Sequence, residues 1–208
     1  MPDSRELIRK QLERLPETYV SDAPERLALL LSELAKWNRK INLTAVRDRD
    51  QMVTLHLNDS LAARSLLQGK RILDVGTGPG FPGLPLAIVE PAREFTLLDS
   101  NNRKIMFVQH AVGVLGLDNV TPVKARAEDY APGHRFDTVI ARALASLPKL
   151  VEIAGHHVRE DGVFVALKGR HPAEELEELP APWSHEVMEL DVPGLEAGSR
   201  HAVVLTRQ

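Results

Sequence analysis

The sequence predicts an α/β protein: a seven-stranded, mostly parallel sheet with an antiparallel last strand, preceded by a helical extension. Three observations predict it. From Arg71 onward, short β-rich runs alternate with helical segments, the pattern of a parallel sheet covered by helices. The first of those runs ends in an acid and a cluster of glycines, "RILDVGTGPGFPG" at 71–83. Before Arg71 the apolar spacing is helical. The expected division is a helical extension, 1–68, packed on a sheet domain, 69–208.

In chain order, Asp3 and Glu6 make a D-x-x-E helix start. Asp22 and Glu25 make a second, with Pro24 in its first turn. Leu27, Leu30, Leu31, Leu34 and Ile41 then recur at helical spacing. A third helix is expected from Arg49 to Leu67, with Gly69 ending it. The strands are read as "RILDV", "EFTLLD", "NVTPVK", "FDTVIA", "GVFVALKG", "SHEVMELDV" and "HAVVLT". Helices are expected at "PGLPLAIVE", "NNRKIMFVQHAVGVLG", "LPKLVEIAGHHV" and "PAEELEEL". Only "ARAEDYAPGHR" separates the third and fourth strands, so that crossover must be short or irregular. The loop "PGLEAGSR" before the last strand is short enough to favour an antiparallel pair.

Composition narrows the function. The 208 residues are 43% hydrophobic, enough for a packed core, and the formal charge of −3 is not that of a strongly basic nucleic-acid binder. There is no cysteine, which excludes disulfides, thiolate metal sites and thiolate nucleophiles. The charged start "MPDSRELIRK" has no apolar core of a signal peptide, and no apolar run reaches the ~18 residues that span a bilayer. A cytoplasmic protein without membrane contact is expected. The eight histidines are scattered, with His156 and His157 expected to point apart on a helix, so no metal is expected.

The glycine loop carries the chemistry. A strand ending at Val75, a loop, and a helix opening at Pro82 aim helix N–H groups and the positive dipole end at the loop. Glycines there let a ligand approach the backbone. The spacing is G-x-G-x-G, and Phe81 stands where a dinucleotide fold needs its third glycine for close helix–strand packing. That argues against a pyrophosphate cofactor. Asp99 ends the second strand, where a carboxylate can accept hydrogen bonds from both hydroxyls of an adenosine ribose. Ala127 and Glu128, after the third strand, can bracket an adenine.

The motif D-V-G-x-G-x-G, the acid after strand two and the strand order resemble class I S-adenosylmethionine-dependent methyltransferases, a Rossmann-like fold. More narrowly, the chain is similar to the small-subunit ribosomal RNA guanine-N7 methyltransferases, the family also called glucose-inhibited division protein B. The resemblance rests on "WNRKINLTAV" (37–46), "HLNDSL" (56–61), "LDVGTGPGFPGLPLAI" (73–88) and "LLDS" (97–100). It continues through "RAED" (126–129), "ARALASL" (141–147), "ALKG" (166–169) and "RHAVVL" (200–205). Two departures stand out: Arg103-Lys104 where the family usually has Lys-Arg, and Ala141-Arg142-Ala143 where it has Ser-Arg-Ala.

The resemblance implies S-adenosyl-L-methionine as cofactor, with contacts at Gly76, Phe81, Ala127, Glu128 and Arg142. Gly78 and Asp99 join them from the loop reading. It also implies methylation of guanine N7 in 16S ribosomal RNA, as naked RNA or in the small ribosomal subunit. The residues are compatible with that. Carbon-5 methylation of a pyrimidine needs a thiolate, and exocyclic amines usually need an N/D-P-P-aromatic motif; the sequence has neither. Guanine N7 carries a free lone pair and no proton, so placement and electrostatics suffice. No catalytic residue is assigned. A methyltransferase of another substrate, or a ribosome-maturation factor that binds the cofactor without turnover, are the alternatives.

Basic residues cluster in short segments. Arg39 and Lys40, Arg103 and Lys104, Arg126, Lys168 and Arg200 are the expected RNA contacts on one basic face. Arg47 and Arg49 lie near the first pair. Asn38 and Asn42 either read RNA or cap the preceding helix. His56, Asp59 and Ser60 read equally as functional groups or as a structural network. No protein partner is expected, and the chain is expected to be a monomer.

Overall fold

A computed structural model of the chain describes residues 4–13, 20–195 and 197–208. The strands are β1 (Arg71–Val75), β2 (Glu94–Asp99), β3 (Val120–Lys124), β4 (Phe136–Arg142), β5 (Val158–Lys168), β6 (Trp183–Glu189) and β7 (His201–Arg207). They form one sheet in the order β3-β2-β1-β4-β5-β7-β6. β1 pairs in parallel with both β2 and β4, and β2 and β4 pair in parallel with β3 and β5. β7 runs antiparallel to β5 on one side and β6 on the other, so the last strand inserts between its two predecessors. The direction of build-up reverses at β1, and the crevice at the carboxyl ends of β1 and β4 is where ligands bind in open sheets.

The helices are α1 (Ser4–Leu12), α2 (Ala23–Asn38), α3 (Arg49–Met52), α4 (Asp59–Leu61), α5 (Gly83–Val89), α6 (Asn102–Leu115), α7 (Leu147–Ala154) and α8 (Ala173–Glu177). On one face of the sheet, Leu27, Leu30 and Leu34 of α2 join Leu57, Phe107 and Phe95 in one buried cluster, so the extension shares the core of the sheet domain. Trp37 meets Phe107 edge-on with ring centroids 5.7 Å apart. On the other face, α7 buries Leu147, Leu150 and Ala154 against β4 and β5. Among the described residues, no helix is long and apolar enough to cross a membrane.

Local sequence explains most element ends. Asn101 caps α6, its Oδ1 accepting from the N–H groups of Arg103 and Lys104, and left-handed Gly116 closes it. No helix fills the β3–β4 connection. Four expectations need correction. Asp3 lies outside the described residues, and the Asp22–Glu25 box does not form. The Asp22 carboxylate makes no capping bond and pairs instead with Arg26 at 2.7 Å. The helix expected from Arg49 to Leu67 is broken: residues Val53–Asn58 widen into a π-helical turn between α3 and α4, and a 3-10 turn, Arg64–Leu66, follows. β5 starts four residues early, at Val158, but its register against β4 jumps, and the regular ladder begins at Val163. His156 and His157 do not point apart. The 3-10 turn Gly155–His157 brings their rings to 3.9 Å.

The close helix–strand approach that a third glycine gives in dinucleotide folds is supplied here by Gly83. A Cβ at that position would lie 2.1 Å from Leu97 Cδ2 and 2.7 Å from Asp74 Oδ2. Gly113, inside α6, faces nothing within 4 Å. Gly83→Ala is therefore expected to destabilise by about 1–3 kcal/mol through overpacking. Gly113→Ala is expected to stabilise by roughly 0.5–1 kcal/mol through helix propensity. Denaturant unfolding of the two variants checks this pair, and equal effects would refute it.

Candidate active site

Asp74, next to last in β1, is a wholly buried carboxylate. Its Oδ2 accepts from Thr77 Oγ1 at 2.6 Å and from the Gly83 N–H at 2.8 Å. It thereby joins strand, loop and helix at one atom. Burial pushes its pKa up to about 6, against the opposing pull of those two donors and of Arg142. Gly76, Gly78 and Gly80 take φ values of +69°, +61° and +92°, which side chains rarely adopt. The N–H groups of Gly76 and Thr77 turn back onto Leu98 O at 2.8 and 3.0 Å, pinning the loop beside the end of β2.

A cleft of about 530 Å³ opens over this loop, at the carboxyl ends of β1 to β4. Every residue expected to hold the cofactor lines it: Gly76, Gly78 and Phe81 from the loop, Asp99 from β2, Ala127 and Glu128 from the β3–β4 connection, and Arg142 from β4. The space above Gly78 is open, with only Gly76 O and Lys104 Nζ at 4.0 Å from a Cβ placed there. Asp99 is 8% exposed. Its Oδ2 accepts from the Gly78 N–H at 2.9 Å and its Oδ1 from the Asn101 N–H at 2.7 Å. Lys104 Nζ stands 3.9 Å away. Each carboxylate oxygen keeps a further lone pair for a ligand.

Phe81 lines the cleft and stacks on His56, with centroids 4.8 Å apart and planes 26° from parallel. The Arg142 guanidinium lies 5.7 Å from the Phe81 centroid. It donates to Leu55 O at 3.1 Å and to Asp59 Oδ2 at 2.8 Å. Asp59 Oδ1 accepts from Arg200 Nε at 2.6 Å. Two arginines thus share one buried carboxylate, clamping the helical extension to the sheet beside the cleft. His56 and Asp59 both belong to structural networks. Asn38 does too: it is 4% exposed, and its side chain binds the N–H groups of Leu43 and Thr44.

The seven expected RNA contacts separate. Lys104 and Arg126 line the cleft, and Arg103 is exposed beside it on α6. Lys168 is bound to Glu175 Oε2 at 2.7 Å and Ala145 O at 2.9 Å, and Arg200 is held by Asp59. Arg39 and Lys40 are exposed at the end of α2.

Sequence reading missed Ala143 and Leu144. A Cβ on Gly76 would come within 2.7 Å of Leu144 Cδ1, so this leucine lies directly over the loop. Leu144 is 41% exposed, and Ala143 before it has φ +50°. No residue type announces such a position. Asn101, expected inside the helix, instead caps it and also lines the cleft.

His56 Nε2 bonds Thr44 Oγ1 at 3.0 Å, and Nδ1 lies 3.2 Å from Leu55 O. Burial first, then Arg142, lowers its pKa from 6.5 to about 4. The folded protein therefore binds this proton less readily than the unfolded chain. Neutral His56 contributes stability that is whole above about pH 6.5 and lost as pH falls towards 4. Asp74, with its raised pKa, acts in the opposite sense over much of the same range. His56→Gln should remove one side of this balance. The stability difference between wild type and variant should change by up to about 3 kcal/mol between pH 7 and 4. Urea titrations at several pH values measure it, and parallel curves would disprove the assignment.

Solved structures show the same fold. A putative O-methyltransferase from Klebsiella pneumoniae matches with a TM-score of 0.60 at 13% identity, covering 98% of this chain and 97% of that one. A Pyrococcus abyssi tRNA (uracil-54, C5)-methyltransferase in complex with S-adenosyl-L-homocysteine matches with a TM-score of 0.56 at 23% identity, over 76% of this chain and 39% of that one. Among curated proteins, ribosomal RNA small subunit methyltransferase G of Methylococcus capsulatus is 49% identical over 199 residues, 96% of this chain and 97% of its own. That of Aeromonas salmonicida is 50% identical over 177 residues, 85% of each. The family model described as rRNA small subunit methyltransferase G matches residues 24–203. By full-length identity, family match and fold alike, the chain belongs to the rRNA small subunit methyltransferase G family, whose methyl donor is S-adenosyl-L-methionine.

Proposed function

We propose that the protein methylates N7 of a guanine in 16S ribosomal RNA. Bound in the cleft, S-adenosyl-L-methionine supplies an electrophilic methyl group. In this reading Asp99 accepts the ribose hydroxyls, Ala127 and Glu128 edge the adenine, and Gly76 and Gly78 admit the methionine portion to the backbone. Phe81 and Arg142 hold the end of the cleft nearest the reacting methyl. Arg103, Lys104 and Arg126 on the rim offer charge to RNA phosphates. Lys168 and Arg200, held by their own acids, reach RNA only if those pairs exchange.

The N7 assignment is supported by the lining of the cleft, which among the described residues holds no histidine and whose two carboxylates, Asp99 and Glu128, stand at the positions read as ribose and adenine contacts. Asp99 accepts one backbone N–H on each oxygen, and in this reading its remaining lone pairs take the ribose hydroxyls. His56 does not line the cleft and has both nitrogens engaged. N7 attacks with its own lone pair and releases no proton, so alignment and a site tolerant of positive charge on the purine are what the protein must provide.

Deletion of the gene is expected to abolish N7-methylguanosine in small-subunit rRNA, with wild type but not Gly76→Asp restoring it. An unchanged methylation map after deletion would end this reading. Asp99→Ala should raise the Kd for S-adenosyl-L-methionine by about 10–100-fold, the loss of hydrogen bonds to a charged acceptor. Calorimetric titration measures it, and wild-type affinity would remove Asp99 from the site.

A further inference from the structure

The helical extension carries a second hollow that shares no residue with the cofactor cleft. It encloses about 250 Å³ and is lined by Ala35, Asn38, Arg39, Arg47, Arg49 and Met52. Three guanidinium groups face one small space. Their contacts are neutral: Arg47 donates to Asn42 Oδ1 at 3.2 Å, and Arg49 Nη2 lies 3.5 Å from Ser32 Oγ. Among the described residues none of the three is paired with a carboxylate.

The fold itself does not call for this arrangement. Arg39 complements the carboxyl end of α2, but Arg47 and Arg49 flank the amino end of α3, where positive charge is unfavourable. Asp48 and Asp50 are exposed nearby and line no part of the hollow, and Asp48 is occupied in capping the Gln51 N–H. Three like charges around one hollow repel, and an anion among them relieves that repulsion. Guanidinium forks match the oxygens of a phosphate diester.

We propose that this hollow grips a backbone phosphate of the substrate RNA and anchors the strand while the target base reaches the cleft. The inference rests on the rRNA reading above. The anchor has a fixed register to the cleft. Asn38 lines the hollow and binds the Leu43 and Thr44 N–H groups. Thr44 Oγ1 bonds His56 Nε2, and His56 stacks on Phe81, which lines the cofactor cleft. Every link is a hydrogen bond or a ring contact, and Asn38, Leu43, Thr44, His56 and Phe81 are all at least partly buried.

The test uses the full-length protein with deproteinised small-subunit rRNA and with small subunits from a deletion strain. The R39A/R47A/R49A variant should raise the RNA Kd by about 10–100-fold near 0.15 M salt, and flatten the slope of log K against log salt by about 1–2. Its affinity for S-adenosyl-L-methionine and its melting temperature should match wild type. Lysine at all three positions should recover the salt slope, since the charges return. An RNA Kd and slope unchanged in the alanine variant, while wild type methylates the RNA, would overturn the anchor. So would a fall in melting temperature or cofactor affinity parallel to the loss of RNA binding, which would make the hollow structural. Failure of wild type to methylate the RNA would instead remove the rRNA reading, and this anchor with it.

Discussion

One buried oxygen organises the site. Asp74 Oδ2 receives a hydroxyl from the loop and an N–H from the first turn of α5. The carboxylate is shut away from water, so each of those bonds matters more than it would at the surface. It fixes where the loop leaves β1 and where α5 begins, and Gly83 is required because no Cβ fits between that oxygen and Leu97. The left-handed glycines, the return of the loop to Leu98 O and the open space over Gly78 all follow from this anchoring. A buried acid whose pKa rises to about 6 is an unfavourable group to keep. Its retention makes sense as the fixed point of a ligand-binding loop.

The extension is joined to the sheet by polar contacts as well as by its apolar core. Asp59 bridges Arg142 and Arg200, residues 83 and 141 positions away in sequence. Buried ion pairs add little net stability when compared with apolar packing, but they specify one arrangement out of several similar ones. Here they set the extension's orientation at the mouth of the cleft, where Phe81, Arg142 and His56 meet. The helical segment thus backs the site by holding Phe81 and Arg142, while lining no part of the cleft itself.

Much of this was legible in the sequence because it follows periodic or stereochemical rules. The seven strands, the irregular β3–β4 crossover and the glycine loop all follow such rules, and the seven positions expected to hold a cofactor line one cleft. What was not legible depends on tertiary contact. Asp22 finds Arg26 instead of an N–H group, and a carboxylate's choice between a cap and a cation is not written in its neighbours. Lys168 and Arg200 look like free basic residues until their acids arrive from α8 and α4. Leu144 is an ordinary apolar residue in sequence and becomes part of the site only because β4 ends beside Gly76. Gly83 is visible as a glycine, but the dinucleotide spacing looks for the close-packing glycine at position 81, where Phe81 stands.

The π-helical turn at Val53–Asn58 sets the spacing of the extension. Across it the Asp59 N–H bonds Thr54 O, five residues back, and passes over Leu55 O, which accepts from Arg142 instead. The wider turn holds one more residue than an α-helix would, and that residue gives His56 and Asp59 their separate bearings toward Phe81 and the two arginines. In evolutionary terms, the segment behaves as a counted length. None of its residues is exposed, so it has no outer face free to drift, and a one-residue deletion would rotate everything beyond it by about a quarter-turn. Insertions and deletions in this lineage should therefore accumulate in the loops on either side and spare this stretch.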